Sequence, residues 1–194
     1  MKTIKRKTSW NYFDKLTSFW RAQFIKPFLS DKKTFCDVGC GQQGSVLLSI
    51  ADKIKEGYGF DFNVKIEGKV RKNITLSRKD FLLINKKFDV IICLAVLEHL
   101  PYPKECEKVL KKIFENLKPG GFFIMTTPDK KAKWLLEFLA YKIHILNKEE
   151  ILDHKHYFDK KELFLFIKKA GFIDIKHRYF QLGLNNLVIC KKKK

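Results

Sequence analysis

The stretch Thr34-Phe35-Cys36-Asp37-Val38-Gly39-Cys40-Gly41-Gln42-Gln43-Gly44 constrains the fold more than any other. A short apolar strand, 34–38, runs straight into G-x-G-x-x-G, and residues 44–54 then read as a helix. Glycines at such a turn let the backbone approach a ligand closely, and the following helix N-terminus presents unpaired N–H groups. Strand, glycine turn and helix in that order open a doubly wound α/β sheet.

The rest of the chain continues the pattern. Residues 9–29 carry Phe13, Leu16, Trp20 and Phe24 at helical spacing, with Pro27 as a stop, and Asp31-Lys32-Lys33 reads as a turn. Strands are predicted at 58–61 and 73–76. Phe88-Asp89-Val90-Ile91-Ile92-Cys93 is an apolar run suited to a strand buried on both faces. A helix over 104–118 places Val109, Leu110, Ile113 and Phe114 on one face, Pro119-Gly120-Gly121 stops it, and 122–127 is the next strand. Asp159 and Glu162 have capping-box spacing and open a helix that ends at Ala170-Gly171. Strands at 172–180 and 184–190, joined around Gly183, lie close enough in sequence to pair antiparallel. The organisation expected is one domain. A helical segment at 1–33 packs on a catalytic core at 34–194, which carries an insertion at about 128–158 for the substrate.

Composition narrows the function classes. The net charge is +19. Arginine is the residue of bidentate phosphate and base recognition, yet 35 of the 40 basic residues are Lys and only 5 are Arg. Nucleic acid therefore stands as an alternative partner on charge alone. The five cysteines form no C-x-x-C pair, which argues against zinc, and they read as reduced cytoplasmic thiols. No apolar run approaches the roughly 18 residues of a membrane span, and no secretory signal follows Met1.

Asp61 lies 20 residues beyond Gly41, at the end of the second predicted strand. A carboxylate there can accept both ribose hydroxyls, so the loop fits any adenosine-containing cofactor, NAD included. Asp37 tilts the choice. A carboxylate beside the loop favours the sulfonium and ammonium of S-adenosylmethionine and repels a pyrophosphate, unless it only caps the loop. Tyr157-x-x-x-Lys161 has the spacing of a dehydrogenase pair, but Lys161 fits better in the first turn of a capped helix.

Five signatures occur in order: Asp37-Val38-Gly39-Cys40-Gly41; Gly59-Phe60-Asp61; Phe88 to Leu100 ending Val96-Leu97-Glu98-His99; Leu117-Lys118-Pro119-Gly120-Gly121; and Tyr157-Phe158 ahead of Ala170-Gly171-Phe172. With them the chain resembles the class I S-adenosylmethionine-dependent methyltransferases from about Thr34 to Lys191, in the small-molecule and glycan branch that carries Val-Leu-Glu-His. The resemblance implies a Rossmann-like, seven-stranded, mostly parallel sheet with an antiparallel C-terminal strand. It implies that Gly39 and Gly41 approach the methionine part of the cofactor and that Asp61 binds the ribose, with Asp37, Cys40 and Phe62 among the other cofactor-binding residues. Asp80 and Phe81 would hold the adenine, and Leu94 and Ala95 would line the pocket.

Methyl transfer to oxygen requires a group to take the hydroxyl proton. His99 is the first candidate, unless Glu98 and His99 only cap the following helix. His154 and His156 are the others, expected on the substrate side of the cleft. Some relatives bind a divalent metal through Glu-x-x-Glu-His and a distant histidine. Here the first Glu position is Ala95, so no complete metal site is expected, although Glu98, His99 and a later histidine could form a partial one. The apolar run Trp134 to Tyr141 reads as part of an acceptor lid, as a membrane-surface helix or as ordinary core. The expected acceptor is a small molecule, a glycan or a lipid-linked compound, with peripheral membrane contact in the last case. RNA methylation is the alternative, and an NAD-binding Rossmann protein a more distant one.

Overall fold

The structure, a computed structural model, describes residues 23–134 and 153–194. Most of the helix expected at 9–29, and nearly all of the apolar run beginning at Trp134, lie outside these residues.

Eight strands form one sheet: β1 (Ser30–Val38), β2 (Ile54–Phe60), β3 (Gly68–Arg71), β4 (Ile74–Ser77), β5 (Phe88–Leu94), β6 (Leu117–Pro128), β7 (Ile173–Phe180) and β8 (Asn185–Lys191). Their order is β3-β4-β2-β1-β5-β6-β8-β7. β1 pairs parallel with both β2 and β5, so the chain winds away from β1 in both directions. The crevice above such a switch point is where doubly wound sheets bind ligands. The C-terminal strand β8 runs antiparallel to both β6 and β7.

Among the described residues, α-helices are α1 (Ser45–Ile50), α2 (Lys104–Asn116) and α3 (Lys160–Lys169). One face of the sheet packs Cys36, Phe88, Ile91 and Phe123 against Leu110 and Ile113 of α2 and Leu163 and Ile167 of α3. The other packs Phe35, Ile74, Ile92 and Leu187 with Leu47 and Ile50 of α1 and with Ile25. Adjacent residues Phe35 and Cys36 thus enter opposite cores, as strand alternation dictates. The capping box at Asp159 and Glu162 is present. α2 has no basic residue in its own last turn. Lys87 and Lys192 reach in from elsewhere and donate to the carbonyls of Glu115 and Phe114 at 2.6 and 2.7 Å, satisfying helix-end acceptors.

Four expectations are corrected. The sheet has eight strands, not seven. The extra one is β3, a four-residue edge strand that folds antiparallel on β4 and is too short to show a period. The helix expected over 44–54 stops at Ile50, because Asn73 donates to the carbonyls of Ala51 and Ile54 and turns the chain early into β2. Lys32 and Lys33 belong to β1, not to a turn. The α2 helix ends at Asn116, and Pro119-Gly120-Gly121 lies within β6, where the register with β5 shifts between Phe88 and Val90. Gly120 adopts φ +74° there and donates to the carbonyl of Lys192.

Candidate active site

The glycine loop closes over the C-terminal end of β1. Gly39 donates to the carbonyl of Phe60, and Gly39, Gly41 and Gly44 all have positive φ. A Cβ on Gly39 would stand 2.3 Å from Val96 Cγ2, so only glycine lets this turn pass beneath the residues that follow β5. A Cβ on Gly41 would meet nothing within 4 Å; it faces open space.

Asp61 fastens the loop. Its Oδ2 accepts the Gly41 N–H at 3.0 Å and its Oδ1 the Asn63 N–H at 2.8 Å. A carboxylate carries about four acceptor positions, so it can still take hydroxyl donors. Asp61→Ala is therefore expected to weaken adenosine-cofactor binding by about 1–3 kcal/mol, the scale of charge-assisted hydrogen bonds. Titration calorimetry checks this, and unchanged affinity would mean the ribose site lies elsewhere.

Asp37 is 2% exposed, and burial followed by the charge of Asp61 raises its carboxyl to about 8. Between its ordinary value near 3.8 and about 8 the folded chain holds a proton that the unfolded chain has released. Without cofactor, stability should therefore fall as pH rises through that window. A cation bound beside Asp37 favours the ionised form and expels the proton. Cofactor affinity should then rise by up to about tenfold per pH unit below pH 8 and level off above it. Asp37→Asn should flatten both trends in a calorimetric pH series.

Cys40 turns inward. It is 8% exposed, and a Cβ on Gly59 would touch its Sγ. Phe62 is 57% exposed at the rim, whereas Phe81 is buried against Phe60. Asp80 accepts the Leu82 N–H and starts a short 3-10 turn. Leu94 is buried, and Ala95 holds a left-handed backbone at φ +56° while donating to the carbonyl of Thr126. A non-glycine residue in that region stores strain, and such residues gather at functional sites.

Beyond Ala95, Glu98, His99 and His154 each place one donor atom so that all three lie within 4.8 Å of one another. Glu98 is wholly buried, and Thr127 Oγ1 donates to its Oε2 at 3.0 Å. The Glu98 carbonyl accepts the Lys155 and His156 N–H groups, which stitches the histidine segment to the end of β5. His99 Nδ1 lies 3.2 Å from Asp153 Oδ2, and His154 Nδ1 lies 3.1 Å from the Tyr157 hydroxyl. One carboxylate and two imidazoles form a donor set suited to a divalent transition metal.

His156 goes elsewhere. Its Nε2 lies 2.9 Å from Glu162 Oε1, and its ring stacks on Tyr102 at 3.7 Å. Glu162 also accepts from Tyr102 and pairs with Lys130, so His156 belongs to the N-terminal cap of α3. The sequence pattern groups His154 with His156, and gives no role to Asp153 or Thr127. Asp153 was legible in principle, as a carboxylate directly preceding a histidine.

Residues 11–177 match the model of a family described as a methyltransferase domain. The chain is 26% identical over 172 residues to a ubiquinone biosynthesis O-methyltransferase of Hydrogenovibrio crunogenus, covering 78% of this chain and 67% of that protein. It is 32% identical over 123 residues to a tRNA U34 carboxymethyltransferase of Nautilia profundicola, covering 57% and 39% respectively. The chain thus spans about two thirds of the first relative and well under half of the second. The fold matches that of the N-methyltransferase NodS of Bradyrhizobium japonicum, solved with S-adenosyl-L-homocysteine. There the TM-score is 0.67 at 14% identity, over 98% of this chain and 94% of the other. With the switch-point crevice, the glycine loop and this match over most of its length, the chain belongs to the methyltransferase domain family, among the class I S-adenosylmethionine-dependent methyltransferases.

Proposed function

We propose that the chain methylates a hydroxyl oxygen of a small-molecule acceptor. The observation that carries this reading is the Glu98–His99–His154 cluster just after β5, two residues beyond Val96, which packs against the glycine loop. When bound, S-adenosylmethionine supplies a methyl group activated by its sulfonium. The backbone at Gly39 and Gly41 takes its methionine portion, Asp37 faces its cationic groups, Asp61 its ribose, and Phe62, Asp80 and Phe81 its adenine. Leu94 and Ala95 wall the pocket. His99 accepts the proton of the acceptor hydroxyl, a task suited to a neutral imidazole near neutral pH.

The O-methyltransferase name of the relative from Hydrogenovibrio supports a small hydroxylated acceptor, as does the scarcity of Arg. Several lysines also have structural work that explains part of the net charge. Lys87 and Lys192 hold the end of α2, and Lys33 and Lys191 lie over the ring of Phe122 at 5.9 and 5.2 Å. Among the described residues no helix is long and apolar enough to cross a membrane.

The test is transfer of a radiolabelled methyl group to a panel of phenols, catechols, glycans and lipid-linked compounds, with RNA in parallel. Label in a hydroxylated small molecule is the expected result; label confined to RNA would overturn the reading. RNA binding that serves catalysis must also weaken steeply as salt rises.

A second reading is favoured by the donor geometry itself. Glu98, His99 and His154 would hold a divalent cation that polarises the acceptor oxygen. Ala95 offers no carboxylate, so the set is one ligand short of the Glu-x-x-Glu-His arrangement. Calorimetric titration of the wild type and of Glu98→Gln with zinc or magnesium separates the two readings without recourse to activity.

A further inference from the structure

We propose that Arg78 is a positioning residue for the cofactor loop. Its guanidinium holds residues 61–67 in the arrangement that fastens the glycine loop, and so sets the affinity for the methyl donor. The proposal rests on the placement of S-adenosylmethionine at the glycine loop and deepens it.

Residues 61–67 join β2 to β3 and form neither helix nor strand. Such a segment has no ladder to fix it, so its shape depends on the individual bonds its backbone groups find. Two bonds link it to the glycine loop. Asp61 Oδ2 accepts the Gly41 N–H at 3.0 Å, and the Lys65 N–H donates to the Gln42 carbonyl at 2.9 Å. Neighbouring residues of the loop are thus held by bonds of opposite sense, one to a side chain and one to the main chain. The second holds only while the backbone at Lys65 keeps its place.

Arg78, directly after β4, supplies that constraint. Its Nε donates to the Val64 carbonyl at 2.7 Å and its Nη2 to the Lys65 carbonyl at 3.1 Å. A guanidinium presents its donors in a planar fork, so one side chain grips two successive carbonyls; an ammonium has the charge without the fork. Flanking bonds complete the clasp. Glu67 Oε1 accepts the Ser77 hydroxyl at 2.9 Å and the Arg78 N–H at 3.0 Å, and the Asp61 N–H donates to the Ser77 carbonyl at 3.1 Å. Both ends of the segment are therefore tied to the end of β4, and Arg78 grips its middle. The same strand supports the loop directly. A Cβ on Gly44 would lie 2.5 Å from Leu76 Cδ2, so the last glycine of the loop rests on the residue two before Arg78.

The consequence is preorganisation. A donor that meets the loop and Asp61 already in place need not order them on binding. Where only a fraction of molecules holds the competent arrangement, the observed affinity falls by that fraction.

Hydrogen exchange of the cofactor-free protein, read by NMR, and calorimetric titration with S-adenosyl-L-homocysteine test this together. Arg78→Met keeps the apolar stem and removes the fork. Its Lys65 amide should exchange faster, because the bond to Gln42 opens more often. Its affinity for S-adenosyl-L-homocysteine should fall about tenfold, the lower end of what a hydrogen bond to a charged group carries. Arg78→Lys, which keeps the charge and one donor group, should recover part of both. Arg71→Met is the control for the hairpin as a whole. Arg71 pairs with Asp52 at 2.7 Å in an exposed contact, so its loss should leave the affinity within about twofold. Unchanged exchange at Lys65 in Arg78→Met would overturn the proposal, and so would an equal loss of affinity in Arg71→Met. Gly41→Ala separates this proposal from the reading beneath it. If Gly41→Ala weakens binding and Arg78→Met does not, the positioning role alone fails. If neither weakens it, the placement of the donor at the loop fails as well.

Discussion

Gly39→Ala is expected to abolish detectable binding of S-adenosylmethionine and to lower stability by roughly 2–5 kcal/mol. Two effects add. A side chain at φ +77° costs about 1–2 kcal/mol, because Cβ crowds the following carbonyl. A Cβ that would sit 2.3 Å from Val96 Cγ2 must also push Val96 aside, and overpacking of that kind costs about 1–3 kcal/mol. Val96 lies between Ala95 and the Glu98–His99 pair, so the displacement reaches both halves of the site. Gly41→Ala is the informative companion. It carries the same backbone penalty at φ +69° but has open space around the new methyl group. It should lose only about 1–2 kcal/mol of stability, yet still lose cofactor affinity, because the methyl group enters the space assigned to the ligand. Thermal unfolding and calorimetry together read the pair. Normal cofactor binding in both variants would mean that the loop is not the site.

His99→Ala is expected to cut turnover about 10²- to 10⁴-fold, the usual range for removal of a positioned acid or base. The affinity for S-adenosylmethionine should stay within about twofold, because the role proposed for His99 is towards the acceptor. Single-turnover kinetics with the acceptor found in the methyl-transfer screen give the number. Full turnover would return His99 to a structural role at the short turn after β5. The contrasting variant is His156→Ala. It should lower thermal stability through the α3 cap and leave the chemical step intact, since His156 is bound to Glu162 and stacked on Tyr102.

The legible parts of the fold were those governed by local rules. The apolar run at 90–93 lies in a central strand buried on both faces, because only a residue pattern apolar on both sides survives there. Asp159 and Glu162 made their capping box, since its geometry lies within four residues. The misses came from distant partners. Asn73 shortened the helix after the glycine loop by bonding back to Ala51 and Ile54, and nothing within 44–54 announces that. Pro119-Gly120-Gly121 reads locally as a stop, but pairing with β5 and with Lys192 draws it into a strand. The site divided in the same way. Gly39, Gly41 and Asp61 converge because one βαβ unit brings them together. The placement of His156 away from His99 and His154 depended on Glu162 and Tyr102, which belong to other elements.

The five cysteines lend the molecule a property unrelated to catalysis. All are free and buried, and burial raises every one of their thiols above the ordinary range. A thiol reagent must therefore wait for the structure to open before it can react, and its rate becomes a measure of local and global opening. Cys40 alone belongs to the glycine loop itself, with its side chain turned inward. Slower labelling of Cys40 in the presence of a bound donor, with the other four unchanged, would turn an ordinary alkylation experiment into a clock for the breathing of that loop.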